Sequence, residues 1–309
     1  MTSLFDRLRD IYGRHVINDV RMQNRLFKCY RFSRRRLAGV RAIAGIVRPR
    51  NGVPTNVYYA TTQKAGSHWI KAVFNDSRVR HYSRLWSYPG HNYEWDEFHR
   101  RFPRFHFVPA LFISYGLYEW IIKPKDYRTF YIMRDPRDIV VSWYHSMRDT
   151  HRLAGKVDKH RAILRSVSLE DGITYCIETL AYRFAFMRTW ALEGPKDAAV
   201  LMMRFEDLVA NPKVEFRRIM AHCRIPIPDA ELDMVLNDYT KDKMRVLDEE
   251  ARSFFRKRSL SDESHYRPKA SSWQEAFTDE HMMLFHSVNG DLLQSLGYTD
   301  APSELVAQT

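Results

Sequence analysis

The sequence predicts an α/β domain in which helices flank a central parallel sheet. Three observations lead there. β-favouring runs at 57–61, 105–108, 127–133 and 198–203 alternate with helix-length amphipathic stretches, the pattern of a parallel sheet with crossover helices. Two of these runs end in a short turn that opens directly into a helical pattern. The chain has 309 residues, 45% apolar and 14% aromatic, enough to bury one large core.

Residues 1–50 read as a basic helical extension ahead of a domain spanning 51–309. Leu4, Leu8 and Ile11, followed more loosely by Val16 and Val20, recur at near-helical spacing with arginines between them. This segment holds 13 Lys/Arg against 3 Asp/Glu, whereas the rest of the chain holds 36 against 34. The net charge of +12 is therefore local, and the body of the protein gives no reason to expect a nucleic-acid partner. Two readings of the extension stand level: a helix packed on the domain by its apolar stripe, or peripheral contact with an anionic membrane surface. The apolar stretch 37–47 is short and interrupted by Arg41, so no span or secretory signal is expected. Cys29, Cys176 and Cys223 lack disulfide or metal spacing and fit a reducing, cytoplasmic setting. His281 and His286, five apart, do not share a helical face, and no metal is expected.

The first turn follows the run at 57–61 and reads Thr61-Thr62-Gln63-Lys64-Ala65-Gly66-Ser67-His68-Trp69 before a helix starts near Ile70. Gly66 permits close backbone approach, Ser67 suits a helix cap, and the dipole of the helix start favours an anion. Lys64 adds a full positive charge, and Trp69 offers a flat face to a base. The G-x-x-x-x-G-K-[ST] loop of nucleoside-triphosphate enzymes is absent, since the lysine precedes the glycine.

The second turn follows 127–133 and reads Arg134-Asp135-Pro136-Arg137-Asp138 before a helical stretch that carries Ser142. Asp135 suits an N-cap and Pro136 the first helical position. Arg134 has no such structural explanation; at the carboxyl end of a buried strand it is placed to grip an anion bidentately. Ser142 either bonds its own backbone or reaches a phosphate. Two anion-ready strand ends fit a ligand with two separated anionic groups, as in a nucleotide phosphorylated at both ends.

Here the sequence resembles the sulfotransferases that use 3′-phosphoadenosine 5′-phosphosulfate (PAPS). Their signatures K-x-G-[ST]-x-W and R-[DN]-P-[KR]-D, with a later helical serine, are matched by Lys64, Gly66, Ser67 and Trp69, and by Arg134 to Asp138 with Ser142. Phe205-Glu206-Asp207-Leu208 with Asn211 and Pro212 echoes a third segment, and Arg267-Pro268-Lys269 with Trp273, Phe277 and Thr278 a fourth. The likeness covers roughly 53–298. It implies a P-loop-like three-layer fold in which Lys64, Ala65, Gly66, Ser67 and His68 grip the 5′-phosphosulfate and Trp69 stacks on adenine. Arg134 and Ser142 would hold the 3′-phosphate, joined by Arg267 and Lys269. Gln63 stands where the family carries a proline, Phe205 where it carries a tyrosine, and the late loop has lost its glycines.

The implied reaction moves a sulfuryl group from PAPS to a hydroxyl or amine, catalysed by positioning and by charge at the leaving phosphate, with Lys64 as electrophilic partner. A base acting on the acceptor contributes typically about 100-fold to 10,000-fold. By resemblance the expected base is His106, a histidine in the 105–108 run, with Glu94, Glu97 and His99 as alternatives. Residues 81–120 hold 13 of the 42 aromatic residues, mostly core, with part expected to line an acceptor pocket for a small molecule, lipid or carbohydrate. The competing readings are a nucleotide-dependent phosphotransferase and a non-catalytic binding domain on the same fold.

Overall fold

Parallel strands in the order β2-β3-β1-β4-β5 form a five-stranded sheet among the described residues. They are β1 (Asn56–Thr61), β2 (Trp86–Ser87), β3 (His106–Leu111), β4 (Tyr127–Met133) and β5 (Val200–Arg204). The computed structural model describes residues 52–88, 102–151, 157–240, 242–244 and 272–299. The expectations for the N-terminal extension, for Glu94, Glu97 and His99, and for Arg267 and Lys269 lie outside the described residues.

The expected strands are all present, with one instructive difference. The β3 run was expected to stop before Pro109, which lacks the N–H that a ladder needs. Instead β3 continues to Leu111, because its pairing with β1 shifts register between Tyr58 and Ala60, opposite the proline. Ala110 there adopts φ 55°.

Alternation along β1 sends its side chains to two cores. Val57 and Tyr59 face a layer built from α1 (Ser67–Asn75), α2 (Ser77–Ser83), α7 (Phe205–Ala210), α8 (Pro212–His222) and α9 (Asp229–Asp238). Tyr58 and Ala60 face the opposite layer, which holds α3 (Tyr115–Trp120), α4 (Pro136–His145), α5 (Val157–Ser166) and α6 (Leu169–Glu193), then α10 (Trp273–Ala276), α11 (Asp279–Asn289) and α12 (Leu292–Ser295). The sheet is thus the middle of three layers. The long helix α6 anchors its layer through Trp190, which is fully buried, stacks on Tyr131 of β4 at 4.6 Å and donates its indole N–H to the Ile113 carbonyl at 2.7 Å.

This arrangement places a site. β1 and β4 are neighbours, yet the helix after β1 lies on one face and the helix after β4 on the other. A crevice opens outside the carboxyl ends of such a pair, the usual binding position in open α/β sheets.

Trp190→Ala is expected to cost about 3–5 kcal/mol of unfolding free energy. Urea titration checks this, and a loss below about 1 kcal/mol would show that α6 is held to the sheet by other contacts.

Candidate functional site

Both sequence motifs meet in this crevice. At the end of β1, the Thr61 hydroxyl donates to the Ile132 carbonyl of β4 at 2.7 Å and locks the two strand ends together. The chain then turns through Lys64 at φ 68° and Gly66 at φ 73°, both left-handed. For a lysine that backbone is strained by about 1–3 kcal/mol, a state that persists where the surroundings dictate it. Here one of them is Arg134, whose guanidinium donates to the Lys64 carbonyl at 2.7 Å.

Gly66 is needed twice over. Its φ favours glycine, and a Cβ there would stand 2.5 Å from the Phe205 ring. The same ring lies 5.0 Å from the Arg134 guanidinium carbon, so Phe205 supports loop and arginine together. The helix cap differs from expectation: Gly66 is the N-cap of α1, without a side-chain cap bond, and Ser67 is the first helical residue. Its hydroxyl is therefore not committed to capping.

The second motif divides its labour. Asp135 caps α4, with Pro136 at its first position, as expected. Arg137 is structural: it is buried, forks onto Asp135 at 2.7 Å, lies 3.6 Å from the Trp273 ring and donates to the Thr299 carbonyl. Asp138 accepts the Trp273 amide at 3.1 Å and lies 4.0 Å from Arg134; burial pushes its carboxyl pKa up. Trp273 thus packs against the first turn of α4. Ser142 is half-buried on the same helix, two turns beyond Arg134.

Glu206, in the third of the sequence segments, bonds across the site. Its carboxylate accepts the Asp135 amide at 3.0 Å and the Tyr298 hydroxyl at 2.9 Å, tying β4's exit to the end of the described chain. Burial raises its pKa.

Lys64 has a depressed pKa of about 8, first because it is desolvated and second because Arg134 is near. Two donors of the motif residues are buried without an acceptor: Nε of Arg134 and Nε1 of Trp69. Adjoining the loop, a shallow cleft is walled by Thr61, Thr62 and Gln63, by Phe112 and Ile113 beyond β3, by Tyr131 of β4, and by Arg183 and Phe186 of α6.

The sulfotransferase-domain family model matches residues 54–297. This chain belongs to the sulfotransferase family. No curated protein matches the sequence at a significant level. Among solved structures, a mouse sulfotransferase complexed with PAP aligns at TM-score 0.50 and 15% identity, over 78% of this chain and 84% of its own. A retinol dehydratase bound to retinol and PAP aligns at TM-score 0.50 and 15% identity, over 81% and 84%. The same type of enzyme with androsterone and the inactive cofactor PAP aligns at TM-score 0.50 and 15% identity, over 82% and 83%. These likenesses extend to the fold.

For this sulfotransferase the crevice suits a nucleotide with phosphates at both ends. It offers one ammonium, one guanidinium with a donor to spare, a positive-φ loop and an indole, all at adjoining strand ends. Lys64, Ala65, Gly66, Ser67, His68 and Trp69 sit together on that loop and the start of α1, and Arg134 joins them. His106 does not. It is the first residue of β3 and pairs with Asn56, the first of β1, so it lies at the amino edge of the sheet. At about 3.3 Å per residue the carboxyl edge is roughly 16 Å away. Its Nδ1–H donates to the Arg104 carbonyl at 2.7 Å, and burial lowers its pKa, so the imidazole is a satisfied core group. The resemblance drew attention to a histidine before a proline, but the bulge at Pro109 moves the end of β3 five residues beyond it.

Gly66→Ala is expected to lower stability by at least about 1 kcal/mol, from the φ and from the Phe205 contact. In a Phe205→Leu background the same change should cost less, because only the φ contribution remains. Equal costs in the two backgrounds, measured by urea titration, would contradict the contact.

Proposed function

We propose that this chain transfers a sulfuryl group from PAPS to a hydroxyl-bearing acceptor in the crevice between β1 and β4. The supporting observation is the Arg134 hydrogen bond to the Lys64 carbonyl, which unites both family motifs at one switch point. The neighbours' PAP is what PAPS becomes once its sulfuryl group has left. In this reading Lys64, Ser67 and the loop from Ala65 to His68 hold the 5′-phosphosulfate, and Trp69 lies against adenine. Arg134 and Ser142 hold the 3′-phosphate, with Arg267 and Lys269 assigned to the same phosphate.

PAPS supplies an activated sulfuryl group: the bond from sulfur to the acceptor oxygen forms as the bond to the phosphate oxygen breaks, and that oxygen keeps the electron pair. Lys64 does the most here. Lys64 is half-buried near Arg134, where a charge is worth more than in bulk water, and in this reading its ammonium meets the charge that builds on the leaving phosphate. The loop and α1 fix its position in advance, so little reorganisation is needed.

With His106 at the far edge, we assign proton removal from the acceptor to Glu94, Glu97 or His99. All three follow β2 in sequence, ahead of β3. A reducing, cytoplasmic setting fits Cys176 and Cys223, which are buried and free. Among the described residues no helix is long and apolar enough to cross a membrane.

Three outcomes are expected. Lys64→Ala abolishes transfer of labelled sulfate while Arg134→Ala mainly weakens PAP binding by calorimetry; wild-type turnover in Lys64→Ala contradicts the assignment, and a stronger preference for ATP with magnesium would favour phosphoryl transfer. Because Lys64 is charged below a pKa of about 8, PAP affinity should be steady below that pH and fall above it. Lys64→Arg, charged throughout, should remove the fall, and an unchanged profile would contradict it. Finally, one of Glu94→Gln, Glu97→Gln and His99→Asn should lower kcat by about 100-fold or more, whereas folded His106→Asn stays within about threefold; the reverse result would return the base to His106.

A further inference from the structure

The edge of the sheet opposite the crevice carries a surface that the sulfotransferase reading does not use. Three loops meet there around Thr55, where the chain coming from the basic segment 1–50 joins the domain. The Thr55 amide donates to the Asp126 carbonyl at 3.0 Å, the Thr55 carbonyl accepts the Phe105 amide at 2.8 Å, and the Trp86 amide donates to the Phe105 carbonyl at 3.0 Å. Each loop presents an exposed cation: Arg84 stands two residues before β2, Arg104 two before β3 and Lys125 two before β4. None of the three is ion-paired among the described residues, whereas Asp126, an acid beside them, is already paired with Arg224.

The loop that carries Lys125 also exposes apolar groups. Trp120 is 77% exposed and Ile122 52%, while Ile121 between them is 2% exposed and anchors the segment in the core. The Lys123 ammonium donates to the Tyr118 and Ile121 carbonyls, so the end of α3 is closed by its own chain and both apolar side chains stand on a fixed turn. Glu119 is an exposed acid here, outweighed by the three cations. An indole and a branched alkyl group flanked by cations suit a lipid interface: the ring lies at headgroup level, the alkyl group dips below it, and the cations meet lipid phosphates. A nucleic acid would match the charge but leave Ile122 without a purpose.

We propose that this edge of the domain lies on an anionic bilayer, with Trp120 and Ile122 in the interface and Arg84, Arg104 and Lys125 on lipid phosphates. Segment 1–50, with 13 Lys/Arg against 3 Asp/Glu, joins the domain at the same edge and adds to the attraction. Charge in that segment would tether the protein in any orientation; the domain face fixes one. The crevice opens at the other ends of the strands, roughly 16 Å away at about 3.3 Å per residue, so it faces away from the lipid and stays open to PAPS.

The test titrates the full chain with vesicles of phosphatidylcholine alone and of phosphatidylcholine mixed with phosphatidylserine, reading binding by sedimentation. Wild-type protein should bind the mixed vesicles at least about tenfold more tightly, and high salt should erase the preference. A cation near such a surface is worth about fivefold in affinity. Replacing three at once, by Arg84→Ser, Arg104→Ser and Lys125→Ser, should therefore weaken binding by about tenfold or more with segment 1–50 intact. Brominated lipid should quench wild-type tryptophan fluorescence, and Trp120→Phe should remove most of that quenching. The substituted side chains are exposed, so every variant should keep the wild-type melting temperature. Equal binding to the two vesicles, or quenching that survives Trp120→Phe, would overturn the proposal. So would wild-type affinity in the triple variant, which would assign the attraction to segment 1–50 alone, or tighter binding to an oligonucleotide than to the mixed vesicles. PAP affinity by calorimetry should be the same with and without vesicles, and its loss on vesicles would overturn the orientation.

Discussion

One hydrogen bond governs the site: the guanidinium at the end of β4 donating to the carbonyl of the lysine beyond β1. It forms because the two strands are neighbours whose helices depart to opposite faces, leaving the strand ends free to approach each other. Without that divergence a helix would fill the space. With it, two cations share a cleft that neither strand would make alone, and desolvation, then the nearby guanidinium, lowers the pKa of the lysine. Like charges placed this close are unfavourable until an anion arrives, the arrangement expected of a site built for a polyanionic ligand.

The surrounding residues hold that unfavourable arrangement in place. Phe205 packs under Gly66 and beside Arg134, and Glu206 bridges the α4 entrance to Tyr298. Asp135 and Arg137 form a buried pair that fixes the first turn of α4, and Trp273 closes over it. The left-handed lysine is held by the Arg134 bond to its carbonyl, so local strain is stored where it orients the functional charge. Family membership and fold are therefore expressed in the same few contacts.

Much of this was legible in the residues. Strand periodicity and the Gly-Ser and Asp-Pro helix starts gave the sheet and the two turns, because local backbone preferences and the tertiary fold agree there. The position of His106 relative to the loop was not legible in the residues. A bulge at Pro109 shifts where β3 ends, and bulges arise from pairing between strands, which a single run of residues does not reveal. Glu206 was visible as a motif echo, but its bonds reach residues 71 and 92 positions away along the chain.

The most direct measurement is a crystal structure of the protein with PAP bound. The account predicts the Lys64 ammonium and the Arg134 guanidinium on different phosphates of one molecule, each about 2.7–2.9 Å from an oxygen. PAP bound away from the β1–β4 crevice, or both side chains on a single phosphate with the other end of the ligand in solvent, would contradict it.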